Sequence, residues 1–222
     1  MVSDQAKFPH SLSDTPKLLA PIAVHYTTAL RTYGAQPRGV FWRDTKGQRL
    51  RFEQLIGILD EDDWRHGLTI NDLGCGYGAM FDFLADMSFM KEGRYQGYDI
   101  TEEMVDCCCQ RITDPRASFQ QSLRATKTAD YSFVSGTYNL RLDIPDDKWL
   151  DYIQRSLIDL ATMSRKGLAF NMLADDRSKR PQKTLYYAQP EPLYDFCLRA
   201  ISPHVTLVTD YPLAEWTIWI RF

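Results

Sequence analysis

Hydrophobic and polar residues follow two different periods along this chain. Between residues 17 and 60, apolar residues recur three or four positions apart, which is typical of amphipathic helices. This segment predicts one helix that ends near Gly34 and a second helix over 51–64, with a loop between them.

From residue 68 onward, short apolar runs alternate with helical stretches. Strands are predicted at 68–72, 94–100, 117–121, 130–136 and 166–173, and helices at 80–89, 101–113, 147–164 and 191–202. Two further strands, 204–212 and 215–222, follow without a helix between them and are expected to be antiparallel. The pattern predicts an α/β, doubly wound, mostly parallel sheet with helices on both faces and an antiparallel C-terminal strand pair.

The composition excludes several classes of function. The chain has 222 residues, of which 44% are hydrophobic and 25% charged, and its formal net charge is -3. This length suits one α/β domain, and the lack of a basic excess argues against a general nucleic-acid binder. No apolar run approaches the roughly 18 residues of a membrane span, and the first residues lack the apolar core of a signal peptide. A cytoplasmic protein outside the membrane is expected.

The cysteines agree with a reducing compartment, because their number is odd and their spacing irregular. They are Cys75, Cys107, Cys108, Cys109 and Cys197. Consecutive residues of a helix point about 100° apart, so the three adjacent cysteines cannot close on one metal ion. No metal site is expected, and structural thiols are favoured over a redox or metal-binding role, which stays open.

The stretch "INDLGCGYGAM" (70–80) follows the first predicted strand and has glycine at 74, 76 and 78. In parallel sheets, ligands bind at the carboxyl ends of the strands, so this loop lies where a ligand is expected. Taken alone, the glycines fit a dinucleotide, S-adenosylmethionine or a purely structural turn.

The acidic residue before the glycines separates the two ligands by charge. A dinucleotide places its pyrophosphate against such a loop, and Asp72 would repel it. S-adenosylmethionine carries an ammonium and a sulfonium, for which a carboxylate is a direct or water-bridged partner. Ala79 stands where the dinucleotide motif has its third glycine, although alanine is an accepted variant there. The loop favours S-adenosylmethionine.

Asp99 is a second acidic residue at a strand end. It follows Gly78 by 21 residues and ends the second predicted strand, where a carboxylate can accept both hydroxyls of an adenosine ribose. The alternative is that Asp99 only caps the helix that begins near Thr101.

Together, "INDLGCGYGAM" and "YQGYDIT" (95–101) resemble the first two motifs of the class I S-adenosylmethionine-dependent methyltransferases. The order of elements from about residue 50 to 222 is similar to that family as well. The resemblance implies a Rossmann-like, seven-stranded sheet, with the methyl donor bound across the ends of strands one, two and four. Residues 1–50 would form an N-terminal helical extension or cap, and residues 51–222 the methyltransferase domain.

The resemblance also implies which residues contact the cofactor. Those around its methionine part would be Asp72, Gly74, Cys75 and Gly76; Asp99 would hold the ribose; Ile100, and more loosely Met104, would lie against the adenine; Ser135 and Gly136 would lie near the ammonium or the transferable methyl. One feature departs from the family, because no acidic residue follows strand three to contact the adenine amine. Gln121 or Ser122 would have to take that place.

The residues that act on the acceptor are less defined, because methyl transfer mainly requires alignment of nucleophile, methyl and sulfur. Weak catalytic candidates are His25, Tyr138, Asn139 and Asn171, for each of which local packing is an alternative. Strand four ends in "SGTYNLR" (135–141), without the N-P-P-Y or D-P-P-Y string of many amino-group methylases of nucleic acids. A nucleic-acid substrate is therefore not expected.

Two segments are candidates for closing the pocket. One is the connection 174–192, whose basic residues Arg177, Lys179, Arg180 and Lys183 would suit an anionic substrate, with a solvated loop as the alternative. The other is the N-terminal helical region. There Arg51 would reach the cofactor carboxylate or, alternatively, be a surface arginine at a helix start.

The sequence thus predicts methyl transfer from S-adenosylmethionine to an O or N nucleophile of a small molecule, an anionic or sugar-related one included. The alternatives are a protein or nucleic-acid methyltransferase and a non-catalytic S-adenosylmethionine-binding partner subunit.

Overall fold

A computed structural model describes residues 15–175 and 182–222 of the chain. Within these ranges the helices are α1 (Thr15–Tyr33), α2 (Thr45–Ile56), α3 (Ala79–Leu84), α4 (Glu102–Arg111), α5 (Asp146–Thr162) and α6 (Pro190–Ala200). The strands are β1 (Thr69–Leu73), β2 (Arg94–Asp99), β3 (Ala117–Gln121), β4 (Ala129–Val134), β5 (Ser164–Ala174), β6 (Tyr187–Ala188), β7 (His204–Val208) and β8 (Glu215–Arg221). Among these residues, no helix is long and apolar enough to cross a membrane.

The strands form one sheet in the order β3-β2-β1-β4-β5-β8-β7, and the short β6 pairs with β5 beside this path. Strands β1 to β5 run parallel, whereas β8 is antiparallel to both β5 and β7. This confirms the predicted mostly parallel sheet with an antiparallel C-terminal pair. Strand β6 was not predicted, because two residues are too few to show an alternation. The strand order reverses between β1 and β4, which places a ligand crevice at their carboxyl ends.

Apolar helix surfaces cover both faces of the sheet. On one face, α5 and α6 pack against Phe170 and Met172 of β5. On the other face, α2 and α3 pack against Ile70 of β1 and Ala169 of β5. Successive strand residues point to opposite faces, so adjacent residues of β5 belong to different layers. This explains why the central strands are continuous apolar runs.

Helix α2 begins earlier than the sequence predicted. Asp44 accepts a hydrogen bond from the Gly47 amide at 2.7 Å, which caps the helix at its N-terminus. The helix ends at Ile56, and a separate 3-10 turn follows at Asp63–Arg65. Helix α2 therefore runs through residue 50, at which the sequence predicted the boundary between extension and domain.

Two other predicted elements differ in their ends. Helix α3 stops at Leu84, and the rest of the predicted stretch contains a 3-10 turn at Ser88–Met90. Thr101 precedes α4 but makes no side-chain cap. Its hydroxyl donates to Asp99 Oδ1 at 2.9 Å instead.

A buried ion pair lies at the amino-terminal edge of the sheet. The carboxylate of Asp63 is fully buried and accepts hydrogen bonds from Lys166 Nζ of β5 and the Tyr131 hydroxyl of β4, both at 2.5 Å. These contacts lower the pKa of Asp63 although burial opposes them. The pair ties the segment before β1 to two central strands, at the edge opposite the glycine loop.

Replacement of Phe170 by alanine should destabilise the fold strongly. Its ring is fully buried and packs between Tyr138 and Trp216, with centroid distances of 6.5 and 5.9 Å. We expect Phe170→Ala to lower the free energy of unfolding by about 3–5 kcal/mol in urea denaturation. Val24→Ala, at a side chain that is 65% exposed, should change it by less than about 0.5 kcal/mol. Equal unfolding midpoints for the two variants would contradict this account of the core.

Candidate active site

A cavity opens at the carboxyl ends of β1, β2 and β4, where the strand order predicts a crevice. Its empty volume is about 880 Å³, including the part open to solvent. We call the residues that line it the cavity wall. They are Leu19, Ile22, Tyr26, Val40, Trp42, Gln48, Phe52, 72–77, Ala79, Met80, Asp99, Ile100, Ser122, Leu123, 135–137, Trp149 and Tyr152.

The glycine loop is bound to the end of β2 through three successive backbone amides. The amides of Gly74 and Cys75 donate to the Tyr98 carbonyl at 2.7 and 2.9 Å. The next amide, that of Gly76, donates to Asp99 Oδ2 at 3.0 Å. A pyrophosphate at such a loop requires free amide donors. These three are already engaged within the protein, so a ligand at the loop would have to use other groups.

Glycine is required at two close approaches in the wall. Gly74 has φ +79°, and a Cβ there would lie 2.2 Å from Thr137 Oγ1. Gly136 has φ +70°, and a Cβ there would lie 2.2 Å from the ring of Trp42. Any larger residue would have to displace a wall side chain as well as adopt a left-handed backbone.

Asp99 supports the loop and faces the cavity at the same time. Its Oδ1 accepts from the Thr101 amide and hydroxyl, both at 2.9 Å, and its Oδ2 accepts from Gly76. Burial raises the pKa of this carboxyl, although these hydrogen bonds oppose the shift. A carboxylate offers about four acceptor positions, so few remain for a ligand. Asp99 therefore accepts hydrogen bonds from Thr101, the residue before α4, as the helix-capping alternative expected. It is also part of the cavity wall.

Asp72 is a strongly perturbed carboxyl group of the wall. It is only 3% exposed and accepts a hydrogen bond from the Tyr95 hydroxyl through Oδ2. Burial raises its pKa from 3.8 to about 7, helped by the nearby charge of Asp99 and opposed by the bond from Tyr95. A cation bound in the cavity would favour the ionised form of Asp72.

Comparison with known proteins agrees with this geometry. No protein-family model matches the chain. The magnesium protoporphyrin IX methyltransferase ChlM of Synechocystis PCC 6803, solved with bound SAH, has a TM-score of 0.58 at 14% identity, over 79% of this chain and 84% of that one. The N-methyltransferase NodS of Bradyrhizobium japonicum WM9 has a TM-score of 0.55 at 15% identity, over 80% of this chain and 97% of that one. At such identities these likenesses establish the fold alone.

A protein of Mycobacterium tuberculosis (strain ATCC 25618 / H37Rv) decides the family. It is named "Putative methyltransferase Rv1506c" and is 42% identical over 156 residues, which make up 69% of this chain and 92% of that protein. The chain belongs to the class I S-adenosylmethionine-dependent methyltransferases. S-adenosylmethionine is accordingly the cofactor of this methyltransferase.

The structure of this methyltransferase brings most of the predicted cofactor residues together. Asp72, Gly74, Cys75, Gly76, Asp99, Ile100, Ser135 and Gly136 all belong to the cavity wall. The thiol of Cys75 is neutral, because a hydrogen bond with Cys108 and burial raise its pKa. Met104 is the exception, since its side chain is fully buried outside the wall.

The expected substitutes for an acidic adenine contact are engaged elsewhere. The Ser122 hydroxyl lies in the wall but donates to the Arg124 carbonyl at 2.7 Å. The amide of Gln121 lies outside the wall and donates to the Ile100 carbonyl at 3.1 Å. This end of the cavity is instead apolar, with Leu19, Ile22, Ile100 and Leu123.

The structure does not place the weak catalytic candidates His25 and Tyr138 in the cavity wall, which favours the alternative of local packing. His25 lies on the exposed side of α1, with its ring 6.1 Å from that of Phe41. Tyr138 is fully buried, and its hydroxyl shares a 2.8 Å hydrogen bond with Ser156 of α5. Both lie near the site in sequence, but their side chains point away from it.

The two candidate asparagines also lie behind the wall. Asn139 Oδ1 accepts from the Leu173 amide at 3.1 Å, while its buried Nδ2 has no partner among the described residues. Asn171 Oδ1 accepts from the Gly136 amide at 2.7 Å. The side chain of Asn171 therefore contacts the backbone of the wall residue Gly136, but Asn171 is not itself a wall residue.

Neither prediction for Arg51 describes its surroundings. Its side chain is only 11% exposed, lies within α2 and forms an ion pair with Glu215. It is thus not a surface arginine at a helix start, and it is not a wall residue.

Four aromatic residues line the cavity, namely Tyr26 of α1, Trp42, and Trp149 and Tyr152 of α5. Tyr26 and Trp42 lie in the N-terminal region that the sequence offers as a segment for closing the pocket. Trp149 and Tyr152 were missed, because their apolar spacing in α5 indicates only a helix face and not what that face covers. In the connection 174–192, Arg177, Lys179 and Arg180 lie outside the described residues, and Lys183 is exposed and not part of the wall.

Cofactor affinity should rise with pH through the ionisation of Asp72. With a pKa of about 7 in the free protein, Asp72 is mostly protonated in mild acid and must lose a proton to pair with a cationic ligand. Calorimetric titration with S-adenosylhomocysteine, which retains the ammonium, should show affinity rising by up to about tenfold per pH unit below pH 7 and levelling above it.

Two variants separate Asp72 from other titrating groups of the protein. Asp72→Asn should flatten the pH profile, whereas Asp82→Asn, at a carboxylate that is 47% exposed, should preserve it. An unchanged profile in Asp72→Asn would assign the proton to Asp99 or another neighbour and contradict this prediction.

Proposed function

We propose that this methyltransferase transfers the methyl group of S-adenosylmethionine to an oxygen or nitrogen nucleophile of a small molecule. The supporting observation is that helix α1 lines one side of the cavity, which we interpret as a cover over it. Helix α1 contributes Leu19, Ile22 and Tyr26 to the wall and is held to α4 by Glu103, which accepts from Arg31 at 2.8 Å and from Thr27 at 3.1 Å. An acceptor must fit beneath this cover, which suits a small molecule better than a polymer.

The charges of the cavity wall support placing the cofactor in it. Asp99 would hold the ribose, and Asp72 would pair directly or through water with the cationic methionine part. Gly74 and Gly76 give this part room, and Ile100 would lie against the adenine. The buried Ser135 Oγ has no hydrogen-bond partner among the described residues, and a polar atom of the cofactor or acceptor beside Gly136 would satisfy it.

Catalysis would depend mainly on alignment. The bound cofactor supplies a methyl group that its sulfonium already activates. The protein's part is to fix the nucleophile in line with that methyl and to keep water out. The apolar cover and the aromatic wall residues serve both purposes.

The wall favours a neutral acceptor over an anionic one. None of the wall residues, all of which belong to the described part of the chain, is Lys, Arg or His. A preference for an anion would therefore depend on the connection 174–192 and its basic residues. Among the solved structures of the same fold, ChlM is named as a magnesium protoporphyrin IX methyltransferase, and an acceptor of that kind agrees with the small-molecule proposal.

A cytoplasmic location is part of the proposal. All five cysteines lie in the described residues and are free thiols. Free thiols are typical of reducing compartments.

Asp99→Ala should weaken binding of S-adenosylhomocysteine by about 1–3 kcal/mol, the usual cost of losing a charged hydrogen-bond partner. The measurement is isothermal titration calorimetry at pH 8, where Asp72 is ionised. Thr101→Val removes one donor to Asp99 but keeps the carboxylate, so its effect should be smaller. Unchanged affinity in Asp99→Ala would overturn the ribose assignment.

The proposed activity is tested with the wild-type protein and a panel of amines, phenols, sugars and carboxylates. We expect S-adenosylhomocysteine to form only in the presence of a small-molecule acceptor, as detected by mass spectrometry. Turnover with a peptide or nucleic acid alone would favour the polymer alternatives. Tight cofactor binding without turnover of any acceptor would favour a non-catalytic partner subunit.

A further inference from the structure

A chain of buried polar contacts connects the last strand to the cavity wall. Glu215, at the start of β8, is only 5% exposed. It accepts a hydrogen bond from Arg51 Nε of α2 at 2.9 Å and one from Asn171 Nδ2 of β5 at 3.3 Å. Asn171 in turn accepts from the Gly136 amide at 2.7 Å. One carboxylate thereby fixes the backbone of a wall residue two contacts away.

A second line of contacts runs from the same carboxylate to the same place. The guanidinium of Arg51 lies over the indole ring of Trp42, 3.8 Å from its centroid. The ring of Trp42 approaches Gly136 so closely that a Cβ there would lie 2.2 Å away. Trp42 and Gly136 both belong to the cavity wall. The ion pair therefore controls both sides of one wall contact.

Stability alone does not account for this ion pair. Burial raises the pKa of Glu215 even though Arg51 opposes the shift, which shows that the carboxylate is poorly solvated. Buried ion pairs are often no more stabilising than well-packed apolar side chains of similar volume. What an apolar pair would not provide is the direction of these contacts, namely an acceptor turned to Asn171 and a flat cation on Trp42.

We propose that Glu215 and Arg51 are positioning residues of the cofactor site. They set the ring of Trp42 and the amide of Gly136, and through them the shape of the wall beside Ser135. The proposal rests on the proposed cofactor placement at the end of β4. Because neither residue is placed in contact with the cofactor or the acceptor, the test measures both cofactor affinity and the local structure around Gly136.

The chain contains a matched control at the opposite edge of the same sheet. Asp63 is also a fully buried carboxylate paired with a cation, Lys166 of β5, but it lies away from the cavity wall. Glu215→Gln and Asp63→Asn each replace a buried, paired carboxylate by its amide. Both should lower the midpoint of urea unfolding.

Binding of S-adenosylhomocysteine should separate the two variants. We expect Glu215→Gln to weaken it by about tenfold, within the range for residues that act without touching a ligand, and Asp63→Asn to leave it unchanged. Hydrogen exchange should show faster exchange of the segment around Gly136 in Glu215→Gln only. If wild type fails to bind S-adenosylhomocysteine, the proposed function is wrong. If wild type and Glu215→Gln bind equally, only the positioning role is wrong.

Two further variants keep the test decisive if Glu215→Gln folds poorly. Arg51→Lys retains the charge but loses the planar stack on Trp42, and it should also weaken binding. The double variant Arg51→Met/Glu215→Met replaces the pair by apolar side chains and should fold stably while binding weakly. Wild-type affinity in this double variant would show that the pair acts only through stability, and would overturn the proposal.

Discussion

The attachment of the glycine loop to the end of β2 is the constraint on which the site depends. Three successive amides, those of Gly74, Cys75 and Gly76, donate hydrogen bonds to the Tyr98 carbonyl and the Asp99 carboxylate. This fixes the loop against a neighbouring strand and leaves its open side to the cavity. These three amides are therefore not available to a ligand, while the carboxylates of Asp72 and Asp99 line the cavity beside the loop. The preference for a sulfonium cofactor follows from the charge of these carboxylates.

This arrangement has an electrostatic consequence for the protein without its cofactor. The folded state raises the pKa of Asp72 from 3.8 to about 7, so between those values the folded chain binds more protons than the unfolded chain. Stability from this group therefore falls as pH rises through that window. A bound cation favours the ionised carboxylate and offsets the loss. The contribution of Asp72 to folding stability is thus lowest when the cavity is empty and the carboxyl is ionised. Under these conditions cofactor binding stabilises the folded protein.

The features that could be predicted from the sequence are those that depend on residues close together along the chain. The strands, the glycine loop and the acidic strand ends are local patterns, and the fold and cofactor follow from them. Contacts between distant positions leave no such pattern, and Arg51 and Glu215 are 164 positions apart. For Tyr138 the sequence left a site role and local packing open for a related reason. A position just after a strand end does not determine the direction of the side chain. Thr137 lines the cavity, whereas the next side chain, that of Tyr138, packs against α5.

The antiparallel direction of β8 explains how the C-terminal region reaches the site. Parallel strands bring only their carboxyl ends to the edge where ligands bind. Because β8 runs the other way along β5, Glu215 at its beginning is paired with Leu173 near the end of β5, and Thr217 with Asn171. The start of the last strand is thereby placed beside the carboxyl ends of β4 and β5, within reach of α2. A closing parallel strand would have put an early residue at the opposite edge, near Lys166, where no ion pair could act on the wall.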